Sequence, residues 1–179
     1  RSYYVYEDVP LRTDMRGDSS HIAFDYILDA GRTPIHSYCD LSIGLRHMPV
    51  ADTTKYYIVQ KAGKWRSSMG GKYANGWIKT RVRSLGTFSV DVDTIAPQIT
   101  PIGQGGWRTS RNIRFRIKDM ESGIGSYKVY IDGKFVLFGL KKGILVIQDP
   151  EKVKKGVSHK LEVTVTDQCG NMTRKEYKF

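Results

Sequence analysis

The stretch Ile113-Arg114-Phe115-Arg116-Ile117-Lys118 decides the fold class, because apolar and basic side chains alternate strictly along it. Alternation with period two places the apolar side chains on one face of a strand and the charged ones on the other. The same pattern covers residues 127–131 and 161–165. Asp132-Gly133 follows the first of these runs and precedes another apolar run, which predicts a tight hairpin turn.

The N-terminal half of the chain follows the same rule. Alternating apolar positions predict strands over residues 22–28 and 41–45, with Ile22, Phe24, Tyr26 and Leu28 on one face of the first strand and His21, Ala23 and Asp25 on its outer face. Asn75-Gly76 predicts a second tight turn. No segment has the pattern of an amphipathic helix of ordinary length. Short strands separated by frequent turn signals indicate a β-sandwich or barrel.

The segment Val92-Asp93-Thr94-Ile95-Ala96-Pro97 predicts a domain boundary, because one strand ends, a proline follows and a new alternating series begins. About six or seven strands fit on each side, which is the size of one immunoglobulin-like domain. We therefore predict an all-β fold of two tandem immunoglobulin-like or fibronectin III-like β-sandwich domains. The first covers residues 1–94 and is divergent, and the second covers residues 95–179.

Net charge and cysteine content say little about the function of the chain. The net charge is +11, with 13 basic and 10 acidic residues before Ala96 and 16 basic and 8 acidic from there on. An uneven basic surface favours an anionic neighbour, although solubility alone also explains it. Cys39 and Cys169 match no metal-binding spacing and are predicted to be independent thiols. No apolar run approaches the ~20 residues of a membrane-spanning helix.

Acidic and amide side chains mark three places that an immunoglobulin-like fold brings to one end of the sandwich. These places are the incoming chain, the B–C loop and the F–G loop, with Asp93, then Asp119 and Glu121, then Asp167 and Asn171. Oxygen ligands of this kind suit Ca²⁺, so the pattern predicts an interdomain calcium site. The alternative is that Asp and Asn cap their own tight turns.

Other candidate sites are fewer. Trp107 in a glycine-rich loop, with Arg108 beside it, is the best candidate for an exposed ligand surface, although core packing is the commoner use of Trp. The lysines of the second half (Lys141, Lys142, Lys152, Lys154, Lys155 and Lys160) are predicted on loops and strand ends. They do not interleave with aromatic residues, so a nucleic-acid partner is not predicted. No arrangement typical of a catalytic nucleophile or a carboxylate pair is present.

Three segments carry a resemblance. The first is Gly70-Gly71-Lys72-Tyr73-Ala74-Asn75-Gly76-Trp77, which Leu85-Gly86-Thr87-Phe88-Ser89-Val90 follows. The others are the junction Asp93-Thr94-Ile95-Ala96-Pro97-Gln98-Ile99 and the ending Val163-Thr164-Val165-Thr166-Asp167-Gln168-Cys169-Gly170-Asn171. Their order resembles the C-terminal immunoglobulin-like region of Gram-negative envelope proteins with an N-terminal lysostaphin-type zinc metallopeptidase domain, which cleaves peptidoglycan. The resemblance implies a non-catalytic accessory module in the periplasm or at the outer membrane. Its partners would be an upstream catalytic domain and peptidoglycan or another anionic envelope polymer.

The resemblance also raises the question of whether the chain contains the zinc site itself. His21-Ile22-Ala23-Phe24-Asp25 has the spacing of the family's His-x-x-x-Asp pair, but Ala23 stands where glycine is expected and no His-x-His is present. A third ligand would have to come from His36 or His47. We therefore expect no zinc in this region, with zinc confined to an upstream domain. The alternatives are a free-standing adhesion or glycan-binding module and a fragment of a zinc peptidase.

Overall fold

The structure is a computed structural model that describes residues 12–17, 21–29 and 37–179. It divides into two compact units, Arg1–Thr94 and Ile95–Phe179. In the described residues the regular structure is antiparallel β-strand, apart from one α-helical turn and three short 3₁₀ turns. These observations confirm the predicted all-β fold of tandem β-sandwich domains.

The first unit contains two antiparallel sheets in its described part. Its strands are β1 (Arg12–Arg16), β2 (Asp25–Asp29), β3 (Cys39–Gly44), β4 (Tyr56–Ala62), β5 (Trp65–Ser68), β6 (Lys72–Ala74), β7 (Trp77–Val82) and β8 (Gly86–Val92). One sheet has the order β1-β2-β8-β4-β5 and the other has the order β3-β7-β6. Ile58, Phe88 and Ile78 are each fully buried in the apolar core to which both sheets contribute.

The second unit contains two antiparallel sheets of four strands each. Its strands are β9 (Gln98–Ile102), β10 (Arg114–Lys118), β11 (Ile124–Ile131), β12 (Lys134–Phe135), β13 (Phe138–Lys141), β14 (Ile144–Ile147), β15 (Lys160–Asp167) and β16 (Met172–Lys178), with one helical turn, α1 (Trp107–Ser110). The sheet orders are β13-β14-β10-β9 and β12-β11-β15-β16. Phe115 and Leu145 from one sheet meet Val129 and Val163 from the other in a single core.

The two predicted tight turns are confirmed. Asn75-Gly76 joins β6 to β7 with φ of 50° and 83°, and Asp132-Gly133 joins β11 to β12 with φ of 50° and 75°. Positive φ at both central residues is what the hairpin turn of this type requires. The turns fix the register in which the flanking strands pair.

One local prediction was wrong. Ala23 is buried in the core and not on an outer face, because the strand begins only at Asp25 and residues 21–23 form a bend. The glycine-rich segment forms a 3₁₀ turn, Gln104–Gly106, which α1 follows directly. None of the helices in the described part of the chain is long and apolar enough to cross a membrane.

Candidate functional site

Asp167 organises the loop between β15 and β16. Its side chain is buried, and Oδ1 accepts hydrogen bonds from the backbone N–H groups of Cys169 and Asn171, each at 2.8 Å. Oδ2 accepts a third bond, at 2.8 Å, from the side-chain amide of Asn171. Gly170 lies between the donors with φ of 79°, a conformation that glycine adopts without strain. The carboxylate of Asp167 therefore holds a tight turn closed, as one of the two interpretations of this motif predicts.

Asp119 caps the loop between β10 and β11 in the same manner. Its Oδ2 accepts from the backbone N–H of Glu121 at 3.2 Å and from that of Gly123 at 2.7 Å. The carbonyl of Gly123 then accepts from the N–H of Gln168 in the Asp167 loop, at 3.0 Å. The two loops are thus joined by the backbone, which brings their carboxylates near each other.

Within the second unit, the structure brings together Asp119 and Asp167 of the five residues predicted as calcium ligands. One carboxylate oxygen of Asp119 lies within 4.8 Å of one of Asp167. Asp167 is buried and Asp119 is half-buried, and Asp93, in the first unit, is buried as well. Glu121 is exposed and lies outside this acidic pair, whereas Asn171 contacts the pair through its bond to Asp167.

The donor set of this acidic group is chemically suited to a hard cation. Carboxylates supply oxygen ligands, and Ca²⁺ takes 6–8 of them. A carboxylate offers about four lone-pair sites, and the turn-capping bonds occupy two of them at Asp119. At Asp119, turn capping and cation binding therefore do not exclude each other.

Trp107 does not form the exposed ligand surface that its glycine-rich context predicts. Its side chain is 0% exposed and its ring packs edge-to-face against Phe115, Tyr177 and Phe179, with centroids 5.0, 5.9 and 5.7 Å away. The indole N–H donates to the carbonyl of Ile102 at 2.9 Å. This prediction was wrong because helix α1 turns the ring inward, where its apolar body is buried and its polar atom keeps a partner.

Arg108, which was predicted to form the ligand surface together with Trp107, is exposed, but its side chain bonds to a neighbouring loop. Its Nε donates to the carbonyl of Gly156 at 2.9 Å, and the backbone N–H of Gly156 donates back to the carbonyl of Arg108 at 2.9 Å. This reciprocal pair ties α1 to the loop before β15. With Trp107 buried, the two side chains do not form one binding surface.

A titratable pair that the sequence did not suggest lies at the turn between β11 and β12. His159 is 7% exposed, with Nδ1 2.6 Å from Oδ2 of Asp132 and Nε2 2.8 Å from the carbonyl oxygen of Lys154. Burial lowers the pKa of His159, but the bond to Asp132, the bond to Lys154 and the charge of Asp132 together raise it above its ordinary value. Two hydrogen bonds lower the pKa of Asp132. The bond from His159 has the larger effect, and the bond from the backbone N–H of Lys160 has the smaller one.

Comparison with known protein families shows to which family the first unit is related. Residues 2–93 match the family of the Zu5-like domain, which is just over half of the chain. The chain belongs to the Zu5-like domain family. The match ends before Thr94, so it covers the first unit and does not extend into the second. No curated protein matches the chain.

Within the Zu5-like domain, the residues proposed for a zinc peptidase are not gathered into a metal site in the described part. Asp25 forms an ion pair with Lys61, whose Nζ lies 2.6 Å from Oδ1. His21 and His47 are exposed, and His36 lies outside the described residues. The described residues hold no group of three potential ligands that includes a histidine. A lysine in direct contact with Asp25 opposes the binding of a divalent cation there, since like charges repel.

The aromatic residues of the Zu5-like domain divide between the core and the surface. Tyr56 and Tyr57 are buried, and the hydroxyl of Tyr56 donates to the carbonyl of Val50 at 2.7 Å. Trp65 is 80% exposed on β5 and Trp77 is 49% exposed on β7. These two strands belong to different sheets.

Proposed function

We propose that this chain is a non-catalytic interaction module of a cell-envelope protein and that it positions an upstream peptidoglycan-cleaving metallopeptidase of the same polypeptide. The Zu5-like domain and the second β-sandwich would act together as a spacer and contact surface in the periplasm or at the outer membrane. Peptidoglycan or another anionic envelope polymer is the proposed partner.

The observation that carries this proposal is the role of the motif residues in the second unit. Asp167 and Asn171 belong to the segment that resembles modules of wall peptidases, and both hold a loop closed by hydrogen bonds. Asp119 does the same in the neighbouring loop. These residues are thus used to shape a rigid sandwich end, which favours a structural and binding role for the module.

Purified peptidoglycan sacculi provide the test of this proposal. The chain is mixed with sacculi, bound protein is measured by co-sedimentation, and soluble muropeptides are measured by chromatography with and without added zinc. We expect binding and no release of muropeptides. Zinc-dependent release that His21→Ala abolishes would overturn the proposal and establish the zinc-peptidase alternative. Absence of binding to sacculi would refute peptidoglycan as the partner.

Calcium binding at Asp93, Asp119, Glu121, Asp167 and Asn171 stays a prediction, and within the second unit Asp119 and Asp167 offer carboxylate oxygens close to each other. Isothermal titration with CaCl₂ tests it on the intact chain, with MgCl₂ as the comparison ion. Asp119→Asn separates cation binding from turn capping, because the amide oxygen can still accept the backbone hydrogen bonds while the negative charge is lost. Equal heats for the wild type and this variant would show that the group only caps its turns.

An adhesion or glycan-binding role is the second candidate, and one surface favours it. A shallow depression of about 460 Å³ on the second unit is lined by Tyr130, Gly133, Lys160 and Glu162. Phe135 is 59% exposed beside it, with its ring 6.0 Å from that of Tyr130. Neutral-glycan binding that is lost in Tyr130→Ala, together with no binding to sacculi, would favour this role over the first.

A further inference from the structure

Strand β10 carries three cations on the outer face of its sheet. Arg114, Arg116 and Lys118 are exposed, while Phe115 and Ile117 between them are buried in the core. Side chains two positions apart in a strand lie on the same face about 7 Å apart, so the three cations form a line about 13 Å long. We call Arg114, Arg116 and Lys118 the β10 cation row.

The side chains beside the β10 cation row are apolar, uncharged polar or basic. The strand register places these neighbours on the same face: Ile144 and Val146 on β14, Gln98, Thr100 and Ile102 on β9, and Lys141 on β13. No carboxylate is among them. Ile144 and Val146 are only half-buried, so they form an aliphatic strip alongside the cations.

The cations of this face have no counter-charge within the described part of the chain. No described residue forms an ion pair or a side-chain hydrogen bond with the β10 cation row or with Lys141. The other sheet of the same unit differs, because Arg174 pairs with Glu162 and Lys160 pairs with Glu176 on its outer face. The outer face around β10 therefore carries four cations and, among the residues in register with β10, no carboxylate.

We propose that the outer face of the sheet β13-β14-β10-β9 binds an acidic polysaccharide, whose chain runs along β10 and whose carboxylates pair with the β10 cation row. Arg presents its N–H groups as a fork that matches a carboxylate, so the two arginines can each take one acidic group. Lys141 adds a fourth cation to this face, on the far side of β14. The inference rests on the proposed interaction role, for which it names a surface and a partner chemistry.

The shape and composition of the face favour a polysaccharide over other polyanions. Single-stranded nucleic acid is bound by basic grooves with exposed aromatic side chains for base stacking, and the strand register places no aromatic residue on this face. The apolar faces of sugar rings can instead lie over the strip of Ile144 and Val146.

The experiment uses the intact chain and polygalacturonate as the acidic polysaccharide, with neutral dextran as the negative control. Binding is measured by titration calorimetry at low and at near-physiological salt. The test variant is Arg114→Gln/Arg116→Gln/Lys118→Gln. The matched control is Lys152→Gln/Lys154→Gln/Lys155→Gln, which removes the same charge from exposed positions outside the strands. Near-ultraviolet circular dichroism checks that both variants fold.

We expect the β10 variant to bind polygalacturonate at least about tenfold more weakly, because it loses charge-assisted hydrogen bonds. The control should lose less than about threefold, the effect of net charge alone. Arg116→Gln, at the centre of the row, should weaken binding by itself if the triple variant fails to fold.

Three results would overturn the inference. They are equal losses in the two triple variants, no binding to polygalacturonate, and tighter binding to single-stranded DNA or to anionic lipid vesicles than to polygalacturonate. Sacculus binding that persists in the β10 variant would overturn this inference alone and leave the proposed function in place. Muropeptide release by the chain would overturn the proposed function and leave the β10 face as a binding surface.

Discussion

The stability of the second unit should fall as the pH rises from about 6 to about 8, because His159 is protonated in the folded state. A neutral imidazole has one N–H, and here both ring nitrogens lie near acceptors, at 2.6 Å from Asp132 and at 2.8 Å from the carbonyl of Lys154. Only the protonated ring can donate both bonds. Its pKa is raised in spite of burial, which by itself lowers it.

The size and sign of this pH dependence follow from proton linkage. The unfolded chain releases the proton near pH 6.5, so the stabilisation is fully present below about pH 6.5 and is lost as the pH rises through the higher folded pKa. One proton is involved, so the free energy of unfolding falls by at most about 1.4 kcal/mol per pH unit. The lowered pKa of Asp132 acts in the opposite direction, since that contribution is present above about pH 3.9 and is lost as the pH falls.

Asp132→Asn is the variant that isolates this effect. Asp132 has φ of 50°, a conformation in which Asn is well tolerated, so the turn should keep its shape. About half of the Asp132 side chain is exposed, so we expect a loss near the lower end for bonds to charged groups, about 1.5 kcal/mol at pH 5.5. The difference between the wild type and the variant should narrow as the pH rises through the raised pKa of His159, because the imidazole then loses its charge.

Urea denaturation of the intact chain measures this prediction. Trp65→Phe and Trp77→Phe leave Trp107 as the single fluorescent Trp, and its buried ring reports unfolding of the second unit. His159 is also the only histidine of that unit, so no other imidazole titrates there. A free energy of unfolding that is constant or rises between pH 6 and pH 8, or a wild-type-to-variant gap that does not narrow, would refute the reasoning.

Three further substitutions test the second unit by urea denaturation followed by far-ultraviolet circular dichroism. Trp107→Ala should cost about 3–5 kcal/mol, the range for deleting a buried aromatic ring, and a loss below 1 would contradict its place in the core. Gly125→Ala should cost about 1–3 kcal/mol because the new Cβ would lie 2.5 Å from the carbonyl oxygen of Asp167, whereas Gly105→Ala meets nothing within 4 Å and should be near neutral. Asp167→Asn should cost about 1–3 kcal/mol, since its amide would face the donor amide of Asn171. An unchanged midpoint would show that the loop is held by other bonds.

Alternation and turn chemistry were sufficient to predict the fold class. Phe115 and Ile117 are buried because period two sends them to the core, and the turn at Asp132-Gly133 adopts the positive φ values that its residues favour. The turn at Lys142-Gly143 gave no such signal. It joins β13 to β14 with φ of 50° and 75°, but Lys has no intrinsic preference for that conformation, so strand pairing imposes it.

The candidate acidic group was partly predictable because it depends on topology. Once the loops after β10 and β15 are assigned to one end of a sandwich, Asp119 and Asp167 must be near each other, and their oxygens do lie within 4.8 Å. The position of Glu121 was not predictable. Its backbone N–H bonds to Asp119 while its side chain is exposed, and loop geometry of this detail depends on individual hydrogen bonds.

Trp107 shows why composition of a loop does not predict exposure. Three glycines within residues 103–106 indicated an open surface loop, but the Trp107 ring in α1 is fully buried. The ring then packs against Phe115 and Phe179, and its N–H reaches the carbonyl of Ile102. A Trp with an apolar surrounding and one backbone acceptor is more stable inside the core than in water. The nearby aromatic residues are distant in the sequence, so the local pattern did not contain that information.

For the β10 cation row, the sequence predicts which side chains lie on the outer face, but it does not predict whether acidic side chains lie beside them. The alternation of Arg114, Arg116 and Lys118 with apolar residues predicts a basic face, yet every basic strand could have acidic neighbours that neutralise it. The register decides the matter: the β15–β16 pairing sets Glu162 and Glu176 among basic residues, whereas β9 and β14 offer β10 no carboxylate. Net charge alone therefore could not locate the proposed binding surface, because neutralisation depends on which strands become neighbours. The register leaves this cationic strip without an acidic neighbour of its own, and this is why we propose that an anionic partner binds there.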